Sequence, residues 1–243
     1  MAMKLRAARP LSETSPDCRP PRRRRKEARP SELTAAALAL FVEKGFAGTR
    51  LDDVAARAGV SKGTLYLYFE SKEALFKAVI EEGMVAALAA AEQRLSDFHG
   101  SAAELLQQLL FGWWEQIGQT PMAGVTKLIA CESSNFPEVA QYYHDRVLTR
   151  GRALLCTTLQ RGVASGEFRP VDIETAIEVI MAPLLMLAIS RFSLGLCNQR
   201  TTPETYLRTH FELLVNGLRG RSGEFVEFGE FVEFVEPLTG GKR

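Results

Sequence analysis

Apolar residues recur at three- and four-residue intervals from residue 31 to residue 220, and no alternating run competes with them. The chain is therefore expected to be all-α. A first stretch carries Leu33, Ala37, Leu40 and Phe41 on one face. A second, with Leu51, Val54, Ala55 and Ala58 facing inward, stops at Gly59, where a left-handed residue lets the chain leave a helix. Thr49, with Asp52 three places on, reads as a capping box for this second stretch. Ser61 caps a third, in which Leu65 and Phe69 stand four apart and point into a core. Two short helices around Gly59-Val60-Ser61 have the pattern of a helix-turn-helix.

Beyond residue 70 the pattern stays helical. Ser71 opens a long helix to about Asp97, closed by Gly100. Ser101 with Glu104 forms a capping box for a helix reaching Ile117, and Thr120-Pro121 opens another with proline at its first position. Asn135 with Glu138 begins a helix to about Ala164, and Gly166 ends it. Asp172 starts a helix to Phe192 and Leu194, and Thr202-Pro203 starts the last. The most apolar run, Val179 to Ile189, contains Pro183 and falls short of the roughly twenty residues of a membrane span. It is expected to be a buried helix, with no membrane partner.

Aromatic and polar tips set the third stretch apart. At about 100° per residue, Gly63, Thr64, Tyr66 and Leu67 fall on the side away from the core. Leu67 suits a thymine methyl better than a solvated face. Gly63 leaves room for close approach to a phosphate. The run LTAAALALFVEKGFAGTRLDDVAARAGVSKGTLYLYFESKEALF, Leu33 to Phe76, resembles the DNA-binding region of TetR/AcrR-type transcriptional regulators. That resemblance implies that Thr49, Ser61, Gly63, Thr64, Tyr66, Tyr68 and Lys72 contact double-stranded DNA, mostly its phosphates. It also makes Lys62, at a position that varies in the family, the candidate base reader.

The expected architecture is an N-terminal three-helix helix-turn-helix domain joined to a larger helical ligand-sensing and dimerisation domain. The helix-turn-helix spans 30–76, within a unit extending to about 97, and the helical domain spans 101–220. Ile177, Ile180, Leu184 and Leu187, with Phe211, Leu214 and Leu218, carry more apolar surface than one domain easily buries. Pairing of these helices across a two-fold axis is expected, and the resulting homodimer suits a palindromic operator. Trp113, Trp114, Met122, Cys131, Phe136 and Tyr143 are candidates for an apolar ligand pocket, with ordinary core as the other reading. That the domain senses a small, hydrophobic or aromatic effector is implied by the resemblance.

Composition narrows the remaining classes. Apolar content of 46% and charged content of 24% are those of an ordinary soluble protein. The net charge of +1 hides a basic start, with ten Lys/Arg against three Asp/Glu in residues 1–30. Within it, the run Arg22 to Lys26 among prolines reads as a disordered arm over 1–29. Two readings stand: an arm that strengthens DNA binding through counterion release or the minor groove, or a solvated tail. Residues 224–236 repeat every third position, fitting neither helix nor strand, so 221–243 is expected to be a low-complexity tail.

Cys18, Cys131, Cys156 and Cys197 lack metal spacing, and His99, His144 and His210 are dispersed. No metal and no cofactor are expected. The start has no apolar signal-peptide region, so the expected location is cytoplasmic. The sequence reads as a repressor released by its effector, its heads shifted through the long helix 72–97. An architectural DNA-binding protein without effector, or an enzyme on the helical body, are the alternatives; no catalytic constellation supports the latter.

Overall fold

The structure, a computed structural model, describes residues 29–193 and 201–219. Described residues form helices and connecting turns, with no strand among them. The head comprises α1 (Arg29–Gly48), α2 (Leu51–Arg57), α3 (Lys62–Tyr66) and the start of α4 (Lys72–Ile80). A π turn, Glu81–Val85, carries α4 into α5 (Ala86–Ser96), and this rod leads away from the head. The body holds α6 (Ala102–Trp113) with a second π turn (Trp114–Gly118), then α7 (Ala123–Glu132) and α8 (Pro137–Tyr143). A third π turn (His144–Leu148) runs into α9 (Thr149–Ala164), followed by α10 (Ile173–Ser193) and α11 (Pro203–Leu218).

Most stop and start signals act as the sequence suggests. Gly59 and Gly166 have φ of 65° and 74°, the left-handed conformation that releases the chain from a helix at least cost. Ser61, Ser71 and Thr202 accept bonds from the third backbone N–H of their helices, and Ser101 with Glu104 closes a full capping box. Three expectations fail. Thr49 does not cap α2: Arg50 stands at the cap without a side-chain bond, because Thr49 is drawn inward to the carbonyls of Leu40 and Gly45. Helix α7 opens at Ala123, because residues 120–123 form a turn bonded three residues back. Helix α8 starts at Pro137 after Phe136, without an Asn135 cap.

Two apolar clusters hold the molecule. The first joins Leu33, Leu40, Phe41, Phe46, Leu65 and Phe76 of the head to Val125, Leu128, Val139 and Leu154 of the body. Head and body therefore share one core. Glycines permit the close approach: a Cβ on Gly124 of α7 would lie 2.6 Å from Val42 of α1, and one on Gly83 would lie 2.5 Å from Met122. The second cluster gathers Leu106, Leu159, Ile180, Leu184, Leu207 and Val215.

Helix α10 departs from the buried-helix expectation. Its window Ile173–Arg191 is long and apolar enough to cross a membrane, yet only 22% of it is buried inside the protomer. Ile177, Ile180, Leu184 and Ala188, spaced by three and four, face the core. Val179 (61% exposed) and Met186 (57%) face outward, as does Leu213 (69%) of α11. The expected dimer residues Ile177, Ile180, Leu184 and Leu218 are thus interior ones, because helical periodicity turns that stripe toward the second cluster. Leu187, Phe211 and Leu214 are half-buried at its edge. The basic arm and the triplet-repeat tail lie outside the described residues, as do Cys18, Leu194 and Cys197.

Candidate nucleic-acid interface and ligand cavity

Helix α3 is a short platform fixed from below. Leu65 is fully buried and Phe69 packs at the core edge, which pins the helix and turns its other side out. Tyr66 and Tyr68 are exposed, and Leu67 is 82% exposed. A leucine this exposed has little packing role in the protomer. Ser61 and Thr64 share a hydroxyl bond of 2.8 Å at the exposed helix start. Lys62 is exposed and paired with Asp52 of α2 at 2.9 Å, and that bond raises its pKa.

Gly63 has no structural reason to be glycine. Its φ is ordinary, and a Cβ there would meet only the Ser61 hydroxyl at 3.9 Å. Glycine inside a helix costs about 0.5–1 kcal/mol relative to alanine, so its retention fits an external surface pressed close to the backbone. Gly63→Ala is therefore expected to leave the melting temperature equal or higher while weakening operator binding at least tenfold. Thermal unfolding and a DNA titration of the same preparation test it; unchanged binding would return Gly63 to the status of a neutral surface position.

Two expected contacts sit differently. Thr49 is 2% exposed and its hydroxyl donates to Gly45 O at 2.7 Å, so its side chain braces the α1–α2 turn and is not presented to DNA. The Lys72 ammonium donates to Phe46 O at 2.7 Å and Ala47 O at 3.3 Å, and lies 4.6 Å from the Phe46 ring centroid. These bonds occupy two of its three N–H donors, leaving one for a phosphate. Sequence reasoning missed Arg50, an exposed guanidinium at the start of α2 with no ion pair or hydrogen bond among the described residues. Its only sequence signal is its position beside Thr49.

Phe46 is where head and body meet. Helix α1 breaks at Gly45 (φ 79°), which frees the Phe46 amide from the helical ladder. Glu132 Oε1, at the end of α7, accepts that amide at 3.0 Å, while Glu132 Oε2 is buried without a hydrogen-bond partner among the described residues. The Phe46 ring packs edge-on against Phe136, with centroids 4.6 Å apart. Phe136, expected in a ligand pocket, is thus part of the joint.

The body contains a cavity of about 320 Å³, at the lower end of the ~300–1,000 Å³ of small-molecule sites. Six helices, α5 to α10, and two π turns line it, with Leu88 and Ala91 of α5, Leu109 and Trp113 of α6, Ile117, Val147, Leu154 of α9 and Met181 of α10. Of the expected pocket residues, Trp113 and Tyr143 line it. Trp114 points the other way into the second cluster, Met122 packs over Gly83, and Cys131 is exposed. Burial pushes the Tyr143 phenol up, and its hydroxyl pairs with Thr126 at 3.1 Å.

Sequence reasoning also missed the polar mouth, formed by Arg94, Gln116, Arg152 and Glu178, and the mid-helix glycines Gly112 and Gly151. A Cβ on Gly151 would meet only Leu88 at 3.9 Å, so the space it leaves is open. The rod beside the cavity is clamped to α8 and α9. Arg150 grips Glu92 at 2.7 and 2.6 Å, and Arg146 with Tyr142 grips Glu81. The Arg146 guanidinium and, less, the Tyr142 hydroxyl hold the Glu81 carboxyl below the usual carboxylate range.

Known proteins share this layout. The profile for bacterial regulatory proteins of the tetR family matches residues 33–79, and that for a tetracyclin repressor-like C-terminal domain matches residues 95–193. The transcriptional repressor KstR2 of Mycolicibacterium smegmatis is 30% identical over 157 residues, 63% of this chain and 74% of its own. The regulator EthR of the same organism is 25% identical over 216 residues, covering 85% and 96%. The solved structure of FadR from Bacillus subtilis, in complex with stearoyl-CoA, superposes with a TM-score of 0.64 over 78% of this chain and 99% of that one, at 23% identity. On its head, body and relatives alike, the chain belongs to the TetR family of transcriptional regulators.

Proposed function

We propose that the protein is a cytoplasmic repressor that binds a palindromic operator as a homodimer and is released when a small, largely apolar molecule enters the body cavity. The single observation that carries this reading is the apolar-lined 320 Å³ cavity beside the rod that leads to the head. An architectural DNA-binding protein has no use for such a space. In this reading residues 30–76 read DNA, with α3 and the turn after it presenting Lys62, Gly63, Thr64, Tyr66, Leu67 and Tyr68 to the major groove. Ser61, Lys72 and Arg50 hold the phosphates. The likeness to a repressor, KstR2, supports repression over activation.

Dimerisation draws support from the outer face of α10 and α11. One side of α10 is already committed to the core, and Glu174 and Glu178 on the same helix bind Arg152. The remaining apolar face, with Val179 and Met186 beside Leu213, suits a second copy of the same surface across a two-fold axis. Two recognition helices about 34 Å apart then match successive turns of DNA.

The test combines genome-wide mapping of bound sites with titration of the recovered operator against candidate metabolites. Gly151→Trp projects an indole into the cavity, where a Cβ meets no obstacle. This variant is expected to bind the operator but give a flat response at ligand concentrations that release the parent protein. A variant that still responds like the parent would show that the effector binds elsewhere.

A further inference from the structure

The charges around the cavity mouth are unequally satisfied. Arg152 is paired with two carboxylates, Glu174 at 2.5 Å and Glu178, a cluster with one negative charge in excess, and Glu178 is the acidic residue in the lining. Deeper in, Thr126 and Tyr143 satisfy each other. Arg94 is different: its guanidinium has no ion pair and no hydrogen bond among the described residues, although it lines the cavity. It reaches from α5 across to α6, where its Nη2 would lie 3.8 Å from a Cβ on Gly112. A glycine in mid-helix costs about 1 kcal/mol, and here nothing but the guanidinium lies near the missing side chain. Arg94 thus stands as an exposed cation, without a partner among the described residues, beside an apolar cavity.

We infer that the cavity takes an amphiphile with a single anionic head group, its apolar body among Leu88, Leu109, Ile117 and Val147 and its carboxylate or phosphate on Arg94. This rests on the reading of the cavity as the effector site. A guanidinium presents paired N–H donors that match both anions, and a charge-assisted bond is about twice as strong as a neutral one. A cationic head group placed at Arg94 would meet a like charge. A neutral one would leave Arg94 to the solvent and draw nothing from its charge.

Decanoate, decyl phosphate and decanol, titrated calorimetrically into the full chain, test the inference. At least one anion is expected to bind tenfold or more tighter than decanol, and the tighter anion identifies the head group. Arg94→Gln is expected to lower anion affinity by about 10- to 100-fold while changing decanol affinity less than twofold. Arg94→Lys should recover part of the loss, which a merely structural defect would not allow. Equal affinity for all three probes, an anion preference that survives Arg94→Gln, or no binding of any probe would overturn it. Decanol binding that Gly151→Trp abolishes, without any anion preference, would sink the anionic ligand yet leave the cavity as the effector site.

Discussion

Met186→Glu combined with Leu213→Glu is expected to produce a folded monomer with little operator affinity. Both side chains point away from the protomer core, so the double variant should keep its helix content and melting behaviour. At a two-fold interface each substitution occurs twice, placing four carboxylates in a desolvated apolar patch. Large apolar residues at interface centres are worth about 2 kcal/mol or more each on truncation, and buried unpaired charge adds to that. Dimer affinity should therefore fall by at least about a thousandfold, which moves the protein to monomer at micromolar concentration. Operator binding falls with it. A dimer binds its second half-site at the effective concentration set by the first, a gain of roughly 10²–10⁴, and the monomer forfeits it. Sedimentation velocity and titration of full and half operators measure both effects. A double variant that sediments as a dimer and binds the full operator normally would remove this face from the interface.

The head is legible in the sequence because its rules are local. Gly59 supplies a positive φ, Ser61 a cap, and Leu65 an inward anchor, each within a few residues of the next. The body is legible only as a succession of helices. Which face of each helix looks inward depends on its neighbours, and α10 illustrates the difficulty. Apolar residues occupy nearly all of its circumference, so periodicity does not separate Ile177 and Leu184, which are core, from Val179 and Met186, which are surface. The cavity is less legible still. Its lining comes from segments as far apart as Ala87 and Leu185, and its glycines carry no pattern of their own. The three π turns interrupt the rods without any proline to announce them, and two of them supply cavity walls. Thr49 fails for a different reason: a threonine near a helix start has both cap and core bonds open to it, and only the break at Gly45 decides.

Glu132→Ala is expected to disconnect the cavity from the head. Phe46 is held from two sides, its amide by Glu132 of α7 and its carbonyl by Lys72 at the start of α4. Helix α7 also carries Thr126, which lines the cavity and bonds Tyr143. Six residues separate Thr126 from Glu132, about 9 Å along a helix, so displacement at the cavity wall arrives at Phe46 with little loss. The bond is suited to switching. It is charge-assisted, but the second carboxylate oxygen is buried without a partner among the described residues, and an orphaned acceptor costs about 1–3 kcal/mol. The latch is thus close to balance, and a modest push can release it. With coupling of about 1–3 kcal/mol, the parent protein should lose 5- to 150-fold in operator affinity when ligand binds. In Glu132→Ala, ligand affinity should stay within about threefold of the parent, while the ratio of operator affinities without and with ligand should fall towards one. Lys72→Met should loosen the same residue from the other side. Because both groups grip Phe46, the double variant should change the ratio by less than the sum of the single effects. A full ligand response in Glu132→Ala would instead assign the coupling to the α4–α5 rod and its clamps at Glu81 and Glu92.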